Sequence, residues 1–387
     1  MTLLPRIVYV GDVPVEASYH GSALLYRLLS DYPAEKLTIV ETATESHRQR
    51  RLPNVNYINH PIGKPRWLNT RFHPYAVAWF TRAAPRIAPQ IGQSLDGFEA
   101  VLTVAHGFGW LAAAEIAKRR NVPLHLMIHD DWPRVADVAP LFRNRLDERF
   151  ARVYRQAQSR LCVSAGMSRF YEERYGAPGS VIYPSRAAAC PDYDEPPSHL
   201  ADNDKPFTMA FAGTINSNGY IEALIAVQNA LKSVNGRLLI FGPLTSDVAK
   251  QVGLSDPNTE ICGLLPAADL LTRLRAETHA LFVPMSFAAS DRANMEMAFP
   301  SKLADYTATG VPLLIYGPCY CSAVAWAREN PGVAEVVEAE PDLTAAIKRL
   351  ATNSDHRIIL GKRALETGRE YFSHACIRQR FHQSLSV

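Results

Sequence analysis

The fold is decided by the stretch EMAFPSKLADYTATGVPLLIYGP, residues 296–318. Pro300 suits the first position of a helix, because its missing N–H would have no partner there. Gly310 suits the end of that helix, and the apolar run that follows it is typical of a buried strand. The stretch therefore predicts a helix over 300–309 that leads into a strand of a parallel sheet.

The start of this helix is predicted to bind an anion. The first amides of a helix have no partner inside it, and the positive end of the helix dipole favours a phosphate beside them. The amides predicted to be free are those of Ser301, Lys302 and Leu303. Lys302 adds a full positive charge in the first turn, where it opposes the dipole, and a cation in that position indicates a bound anion. Asp305 could accept both hydroxyls of a ribose, or it could be a solvated carboxylate on a surface helix.

Length and composition indicate two domains of ordinary size. The chain has 387 residues, 47% of them hydrophobic, which is enough for two separate cores. No run approaches the ~18 apolar residues of a membrane span. The N-terminus lacks the pattern of a signal peptide, and the six cysteines show neither a disulfide framework nor a complete set of metal ligands. A cytoplasmic protein with reduced thiols and without a metal is therefore predicted.

Basic and aromatic side chains are mixed over residues 64–82. Residues 1–200 also carry 24 Lys and Arg against 19 Asp and Glu, which suits an anionic acceptor or a membrane surface but is also compatible with ordinary scatter. The segment could bind an acceptor or touch lipid head groups at the inner face of a membrane, and the simpler alternative is a loop and a helix packed on the sheet. A predicted helix over 141–158 repeats arginines three or four residues apart, which a solvated helix face explains. No basic face repeats at helical spacing around 64–82, so nucleic acid is not a predicted partner.

Strand, loop and helix patterns repeat in two halves of the chain. A strand that ends at Gly11 leads through a loop containing Gly21 into a helix, as at the start of a Rossmann-like domain. The two glycines are ten residues apart, so the dinucleotide fingerprint is absent and a nicotinamide dehydrogenase is disfavoured. His106 and His129 each follow the carboxyl end of a predicted strand, where open α/β sheets place ligands, although either could be a structural loop residue. In the second half, a polar turn over 213–219 follows a strand and could cradle an anion.

Composition also sets the predicted domain boundaries. A segment rich in proline and acidic residues, 187–206, is predicted to be a linker. It would separate a first domain over 1–186 from a second domain over 207–369. A C-terminal helix over 370–387 could cross back to the first domain.

The opening stretch resembles the donor-binding segment of GT-B glycosyltransferases, in particular the retaining family 4 (GT4-like) type. The resemblance is carried by PSKL over 300–303 with Asp305 and Tyr306, by Gly310 and Pro312, and by FAGTI over 211–215. It implies an α/β GT-B fold, in which two Rossmann-like domains face each other across a cleft. The second domain would bind a nucleoside diphosphate sugar, and the first would bind a glycan, a lipid-linked sugar or a small-molecule acceptor. It also implies transfer with retention, without a metal and without a cofactor besides the donor.

The donor site predicted from these patterns and from the resemblance is extensive. Its residues are Gly21, Gly213, Thr214, Asn218, Gly263, Leu264, Leu265, Pro300, Ser301, Lys302, Leu303 and Asp305. By resemblance, Lys302 and Thr214 would serve the diphosphate, and residues 263–265 the base. Asp305 would take the ribose in place of the family's usual Glu.

The predicted catalytic and acceptor residues also follow from the resemblance. His129 resembles the family's histidine near the transferred sugar, and His106 is assigned to the acceptor. Glu296 approaches the family's other acidic residue, although the usual spacing lands on Met297. The turn over 214–218 lacks the Arg and Lys that many members use on the diphosphate.

Three alternatives stay open. A sugar-nucleotide epimerase would use the same cleft, with further acid and base carboxylates that the sequence does not identify. A two-lobed binding protein that closes on a ligand without chemistry would be periplasmic, which the absent signal peptide disfavours. A non-catalytic transferase homologue is compatible with the weak diphosphate clamp.

Overall fold

A computed structural model describes residues 4–17, 20–44, 50–203, 205–215 and 217–386. The chain divides into two compact units, Met1–Tyr183 with Ile377–Val387, and Pro184–Cys376. Each unit is built on its own parallel sheet. In the described part of the chain, no helix has the length and apolar character that crossing a membrane needs.

The first unit has a seven-stranded parallel sheet in the order β3-β2-β1-β4-β5-β6-β7. Its strands are β1 (Ile7–Gly11), β2 (Leu37–Glu41), β3 (Asn56–Asn59), β4 (Ala100–Val104), β5 (Leu124–Ile128), β6 (Ser159–Cys162) and β7 (Ser180–Val181). Every residue of β1, β4 and β5 is buried, as expected for parallel strands that are covered on both faces. The strand order reverses between β1 and β4, and open α/β sheets bind ligands at the carboxyl ends of the strands beside such a reversal.

The helices of the first unit connect these strands. They are α1 (His20–Leu29), α2 (Pro65–Leu68), α3 (His73–Gln93), α4 (Gly109–Arg120), α5 (Trp132–Val135), α6 (Pro140–Gln156) and α7 (Ala165–Tyr175). Gly21 was expected in the loop before α1, and it lies instead in the first turn of that helix.

The second unit has a six-stranded parallel sheet in the order β10-β9-β8-β11-β12-β13. Its strands are β8 (Thr208–Ala212), β9 (Arg237–Phe241), β10 (Thr259–Gly263), β11 (Ala280–Pro284), β12 (Leu313–Tyr316) and β13 (Glu335–Val337). Its helices are α8 (Asn218–Leu231), α9 (Ser246–Gln251), α10 (Ala267–Glu277), α11 (Arg292–Met297), α12 (Lys302–Tyr306), α13 (Ser322–Glu329), α14 (Glu340–Thr352) and α15 (Ser354–Phe372), and α16 (His374–Leu385) ends the chain. Short 3-10 turns span Ala34–Lys36, Ser198–Ala201, Lys232–Val234 and Ala289–Asp291. Here the strand order reverses between β8 and β11, so this pair marks the expected ligand edge.

The segment expected as a linker, 187–206, packs on the second unit. The buried Arg357 of α15 donates to the carbonyl of Leu200, with its Nη2 2.7 Å from the oxygen. Arg369 of the same helix pairs with the carboxylates of Asp192 and Asp194 at 2.7 and 2.9 Å. Two arginines thus hold this acidic segment against α15.

Candidate functional site

Three glycines mark the carboxyl edge of the second sheet. Gly213 follows β8, Gly242 follows β9, and Gly263 ends β10, with φ angles of +149°, +151° and +71°. The amide of Gly213 donates to the carbonyl of Phe241, and the amide of Gly242 donates to that of Gly263, each at 2.9 Å. A Cβ atom on Gly242 would lie 2.3 Å from the carbonyl oxygen of Gly213. The close backbone approach therefore requires glycine at 242, a site position that the sequence reasoning missed.

Lys302 lies beside this glycine edge. Its Nζ atom is 4.2 Å from the centroid of the Phe211 ring and 5.7 Å from that of Tyr220. A Cβ atom on Gly213 would lie 3.4 Å from the same Nζ atom, so the structure brings these two predicted donor residues together. Burial lowers the pKa of Lys302 to about 7, because a low-dielectric surrounding disfavours the ammonium form.

The amine of Lys302 has no counter-ion in the structure. No carboxylate of the described residues forms an ion pair with it, and it lies near the rings of Phe211 and Tyr220. A desolvated cation without a partner costs folding free energy, and such groups concentrate at functional sites. The arrangement suits an anionic ligand that supplies the missing charge.

Tyr306 fixes the position of Lys302. The hydroxyl of this buried tyrosine accepts a hydrogen bond from the amide of Ala212 at 2.6 Å and donates to the carbonyl of the same residue at 3.2 Å. Residues four apart share one face of a helix, so the bond that ties Tyr306 to the end of β8 also directs Lys302 towards it. On another side of α12, the guanidinium of Arg186 donates to the carbonyl of Ala304 at 3.0 Å.

The helix expected over 300–309 is shorter than expected, because α12 has only five residues. The amide of Leu303 donates to the carbonyl of Pro300 at 3.0 Å; the expectation that this amide is free is wrong. At the other end, the hydroxyls of Thr307 and Thr309 donate to carbonyls of the last turn, each at 2.8 Å. Such side-chain bonds compete with the helical hydrogen bonds and shorten the helix.

Two of the three amides expected to be free remain so. The amides of Ser301 and Lys302 make no hydrogen bond with the rest of the described chain. Pro300 and Ser301 precede α12, and the Leu303 side chain is fully buried. The main electrostatic attraction for an anion at this position would come from the side-chain charge of Lys302, because the dipole of so short a helix is small.

The turn after β8 is braced by a carboxylate. Ser217 donates to Asp291 at 2.9 Å, and hydrogen bonds from Ser286 and Ser217 lower the pKa of Asp291. Thr214 is half-buried in this turn, and Asn218 is exposed at the start of α8. Serine hydroxyls and a carboxylate therefore set the conformation of the turn.

The remaining donor residues lie on both sides of this turn. Leu264, next to Gly263 at the end of β10, leaves 74% of its surface exposed, and Leu265 is half-buried. Asp305 is half-buried in α12, and its charge acts on the guanidinium of Arg186. The predicted contacts of these residues with a base and a ribose stay predictions.

Glu296 lies in α11, apart from the glycine edge in sequence and in bonding. Its carboxylate pairs with Arg292 at 2.8 Å, one helical turn away. Met297, where the usual spacing would place the acidic residue, is buried in the core. The catalytic role of Glu296 stays a prediction.

In the first unit, Asp12 occupies the reversal point of the sheet. Its carboxylate accepts hydrogen bonds from the amides of Phe108 and Gly109 at 2.7 and 2.5 Å, at the start of α4. Burial raises the pKa of Asp12 to about 6, although these amides oppose the shift. A Cβ atom on Gly107, whose φ is +58°, would lie 2.4 Å from the Asp12 carboxyl carbon. Asp12 could have been identified from the sequence only by its place directly after β1, because the glycines that pack around it, Gly107 and Gly109, are distant in sequence.

The two predicted histidines follow adjacent strands of the first sheet. His106 follows β4 and His129 follows β5, and these strands pair directly. The ring of His106 lies 4.5 Å from that of Trp132, centroid to centroid. Burial lowers the pKa of His129 to about 4, and its buried Nε2 atom has no hydrogen-bond partner within the described residues. His129 is thus a neutral imidazole with an unused polar atom, which is compatible with a ligand hydroxyl.

Residues 35–185 match the family model described as Glycosyltransferase Family 4. Among solved structures, the chain is similar to HepE of Anabaena in complex with UDP and glucose, at 11% identity and a TM-score of 0.69 over 99% of both chains. The chain has the GT-B fold and carries a glycosyltransferase family 4 match over part of its length. It is also similar to the UDP-forming trehalose-phosphate synthase of Burkholderia vietnamiensis, at 14% identity and a TM-score of 0.68 over 100% of this chain and 97% of that one. A third similar structure is the sucrose-phosphate synthase of Thermosynechococcus elongatus, at 14% identity and a TM-score of 0.66 over 98% of both chains.

No curated protein sequence matches this chain significantly. The expected GT-B fold and the expected resemblance are confirmed. All but the last two residues of the family match lie in the first unit, whereas Lys302 and the glycine edge lie in the second. The family match therefore assigns no role to the individual donor residues of the second unit.

Proposed function

We propose that this protein is a glycosyltransferase, which takes a sugar from a UDP-sugar and transfers it with retention to a glycan, a lipid-linked sugar or a small molecule. The observation that carries the proposal is the amine of the half-buried Lys302, which lies beside Gly213 without an ion-pair partner among the described residues. The similar proteins support UDP as the nucleotide carrier. HepE was solved with UDP and glucose, and the trehalose-phosphate synthase is UDP-forming.

In this proposal Lys302 and the turn after β8 hold the diphosphate. When the sugar leaves, negative charge grows on the departing phosphate oxygen, and a cation already in place stabilises it without reorganisation. The free amides of Ser301 and Lys302 and the polar turn that includes Thr214 and Asn218 would add hydrogen bonds. Lys302 supplies positive charge that a divalent metal supplies in other transferases, so the proposed mechanism uses no metal and no cofactor.

The nucleoside would lie along the glycine edge. Gly263 exposes backbone at the end of β10, and the exposed Leu264 offers an apolar surface for a base. Leu265 would complete this surface, and Asp305 would accept the ribose hydroxyls. These contacts give the donor its orientation.

The first unit would contribute the sugar and acceptor contacts. A neutral His129 can accept or donate a hydrogen bond through its unused Nε2 atom, which suits a hydroxyl of the transferred sugar. His106, whose ring is tilted against that of Trp132, would contact the acceptor. From α11 of the second unit, Glu296 would assist the reaction as the family's acidic residue. Residues 64–82 would make a peripheral contact with the cytoplasmic face of a membrane.

The proposal is tested by a screen of nucleotide sugars for thermal stabilisation, followed by mass spectrometry of acceptor mixtures and NMR of the new anomeric bond. UDP-sugars are expected to stabilise the wild-type protein and to stabilise the Lys302→Met variant much less. Turnover in the presence of EDTA is expected to be unchanged. A protein that binds no nucleotide sugar, or that binds one equally well without Lys302, would refute the proposed site.

A further inference from the structure

Two helices of the first unit pack side by side and run in the same direction. Near their starts, the amide of Ala139, just before α6, donates to the carbonyl of Pro74 in α3 at 3.2 Å. Further along, Arg149 of α6 donates to the carbonyl of Thr81 in α3 at 2.6 Å. The first turns of α3, up to Thr81, therefore lie next to α6 as far as Arg149.

The later turns of both helices carry a cluster of arginines. The cluster consists of Arg82 and Arg86 of α3 with Arg145, Arg149 and Arg152 of α6. Spacings of three and four residues place each set on one face of its helix. After burial, the other four arginines are the causes that lower the pKa of Arg149, so the five charges act on one another.

This arginine cluster has no internal counter-ions. Within the described residues, none of its members forms an ion pair with a carboxylate, whereas several exposed arginines elsewhere do, such as Arg119 with Glu115 at 2.7 Å and Arg174 with Asp147 at 2.7 Å. Like charges in proximity raise the free energy of the folded protein. A solvated face of α6 alone does not explain why α3 places two further arginines beside it.

The earlier turns of the same helices carry exposed aromatic residues. Tyr75 and Trp79 of α3 leave 61% and 57% of their surfaces exposed, and Phe72, just before α3, leaves 57% exposed. A groove of about 190 Å³ joins the two regions. It is lined on its apolar side by Tyr75, Trp79, Val138, Phe142 and Leu146, and on its basic side by Arg82, Arg145 and Arg149.

We propose that this groove and the arginine cluster bind the phosphate of an anionic phospholipid in a bilayer, with the aromatic side chains in the interfacial layer. The inference rests on the membrane contact in the proposed function and identifies its lipid partner and its charged residues. Arginine guanidinium groups match phosphate oxygens in a bidentate manner, and exposed Trp and Tyr favour the membrane interface. A soluble anion would have no use for the aromatic end of the groove.

The proposal is tested by co-sedimentation of the full chain with vesicles of phosphatidylcholine alone and of phosphatidylcholine with phosphatidylglycerol. Each arginine near an anionic surface contributes about 1 kcal/mol. The double variant Arg82→Gln/Arg145→Gln is therefore expected to lose about 30-fold in partitioning to the anionic vesicles. The double variant Tyr75→Ala/Trp79→Ala is expected to lose binding to both kinds of vesicle.

The matched control is Lys118→Gln/Lys250→Gln, which removes the same charge from exposed positions away from α6. It is expected to lose less than about 3-fold, because only general attraction to the surface falls. An equal loss in control and cluster variants would overturn the proposal, since net charge alone would then explain binding. Displacement of the protein from vesicles by millimolar glycerol phosphate would also overturn it and would indicate a site for soluble anions.

The same variants separate this proposal from the donor site. Thermal stabilisation by UDP, measured on each variant, is expected to equal that of the wild type, which also shows that the variants are folded. Wild-type protein that responds to UDP but ignores anionic vesicles would overturn the lipid site alone. Protein that binds anionic vesicles but not UDP would overturn the donor site alone.

Discussion

The sharpest test of the donor site is the protonation of Lys302 when a nucleotide binds. In the unliganded protein, burial lowers the pKa of this lysine to about 7. At pH 8 a group with that pKa is ~90% deprotonated, and at pH 6 it is ~10% deprotonated. A bound diphosphate favours the ammonium form and raises the pKa. Binding of UDP is therefore expected to take up about 0.9 proton at pH 8 and about 0.1 proton at pH 6 through this lysine.

The affinity should follow the same proton. Above pH 7 the protein must protonate Lys302 before it can make the charged contact, so UDP affinity is expected to fall roughly tenfold per pH unit. Replacement of Lys302 by Met keeps the length of the side chain and removes the charge. A charge-assisted hydrogen bond contributes about 1.5–3 kcal/mol, so the variant is expected to bind UDP roughly 10- to 150-fold more weakly at pH 7. The pH dependence due to the lysine should disappear in the variant.

The assay is titration calorimetry of UDP in two buffers of different ionisation enthalpy, at pH 8, where the UDP phosphates are already fully ionised. The difference in observed enthalpy gives the number of protons taken up. Lys250→Met is the matched control, since Lys250 is an exposed lysine in α9 of the same unit. Proton uptake near zero in the wild type, together with affinity within about twofold in Lys302→Met, would remove Lys302 from the donor site.

Stability supplies an independent check on the same lysine. The pKa of Lys302 in the folded protein lies below the unfolded value of 10.5. The lysine therefore destabilises the folded protein by its full amount below pH 7, and this destabilisation disappears as the pH rises from 7 to 10.5. Because the side chain keeps some solvent contact and lies over Phe211, the expected destabilisation at low pH is only roughly 1–3 kcal/mol. Urea unfolding of the unliganded protein at pH 6 should therefore show Lys302→Met to be more stable than the wild type, and the gap should close near pH 10. A constant gap across this range would contradict the lowered pKa.

Three further changes test the parts around Lys302 and the histidine. Tyr306→Phe leaves the buried amide of Ala212 without its partner. It is expected to lower the free energy of unfolding, measured in urea, by about 1–3 kcal/mol and to weaken UDP binding. A less stable variant with unchanged UDP affinity would show that the bond does not position Lys302. Gly213→Ala, at a φ of +149°, is expected to destabilise by about 1–3 kcal/mol, whereas the control Gly92→Ala, where a Cβ meets nothing within 4 Å, is expected to be neutral or mildly stabilising in the same unfolding assay. His129→Gln is expected to lower kcat and to leave UDP affinity unchanged, and an equal fall in both would contradict a role at the sugar. Because the pKa of His129 is about 4, the wild-type rate should show no titration of His129 between pH 6 and 8.

The strands were the part of the fold most accessible to sequence reasoning. The apolar runs around 100–105 and 313–316 are strands whose residues are all buried, since parallel strands covered on both faces need no alternation. The three-residue β13 was missed because its first residue, Glu335, is acidic. The structure shows that Glu335 pairs with His356 at 2.8 Å, a contact that the local pattern does not contain.

The candidate site was predictable only where one residue carried the signal. Lys302 could be recognised because a cation in the first turn of a helix is locally unfavourable. The bond from Tyr306 to Ala212 joins residues 94 positions apart, and Gly242 is required only because Gly213 approaches it. Such pairings exist only after the sheet has formed, so no local pattern predicts them.

The position of Lys302 offers a reason why the turn after β8 can lack the Arg and Lys that many family members use on the diphosphate. An arginine would stay charged at every relevant pH and would bind the diphosphate without taking up a proton. A single lysine held against Phe211 and tied to β8 through Tyr306 is partly neutral before the donor arrives. In the proposed donor site its full charge would appear only when the donor is bound, so part of the binding free energy would be used to protonate the residue that then stabilises the leaving group. In this chain, donor affinity and leaving-group stabilisation should fall together as the pH rises above 7, which a clamp built from arginine would not show.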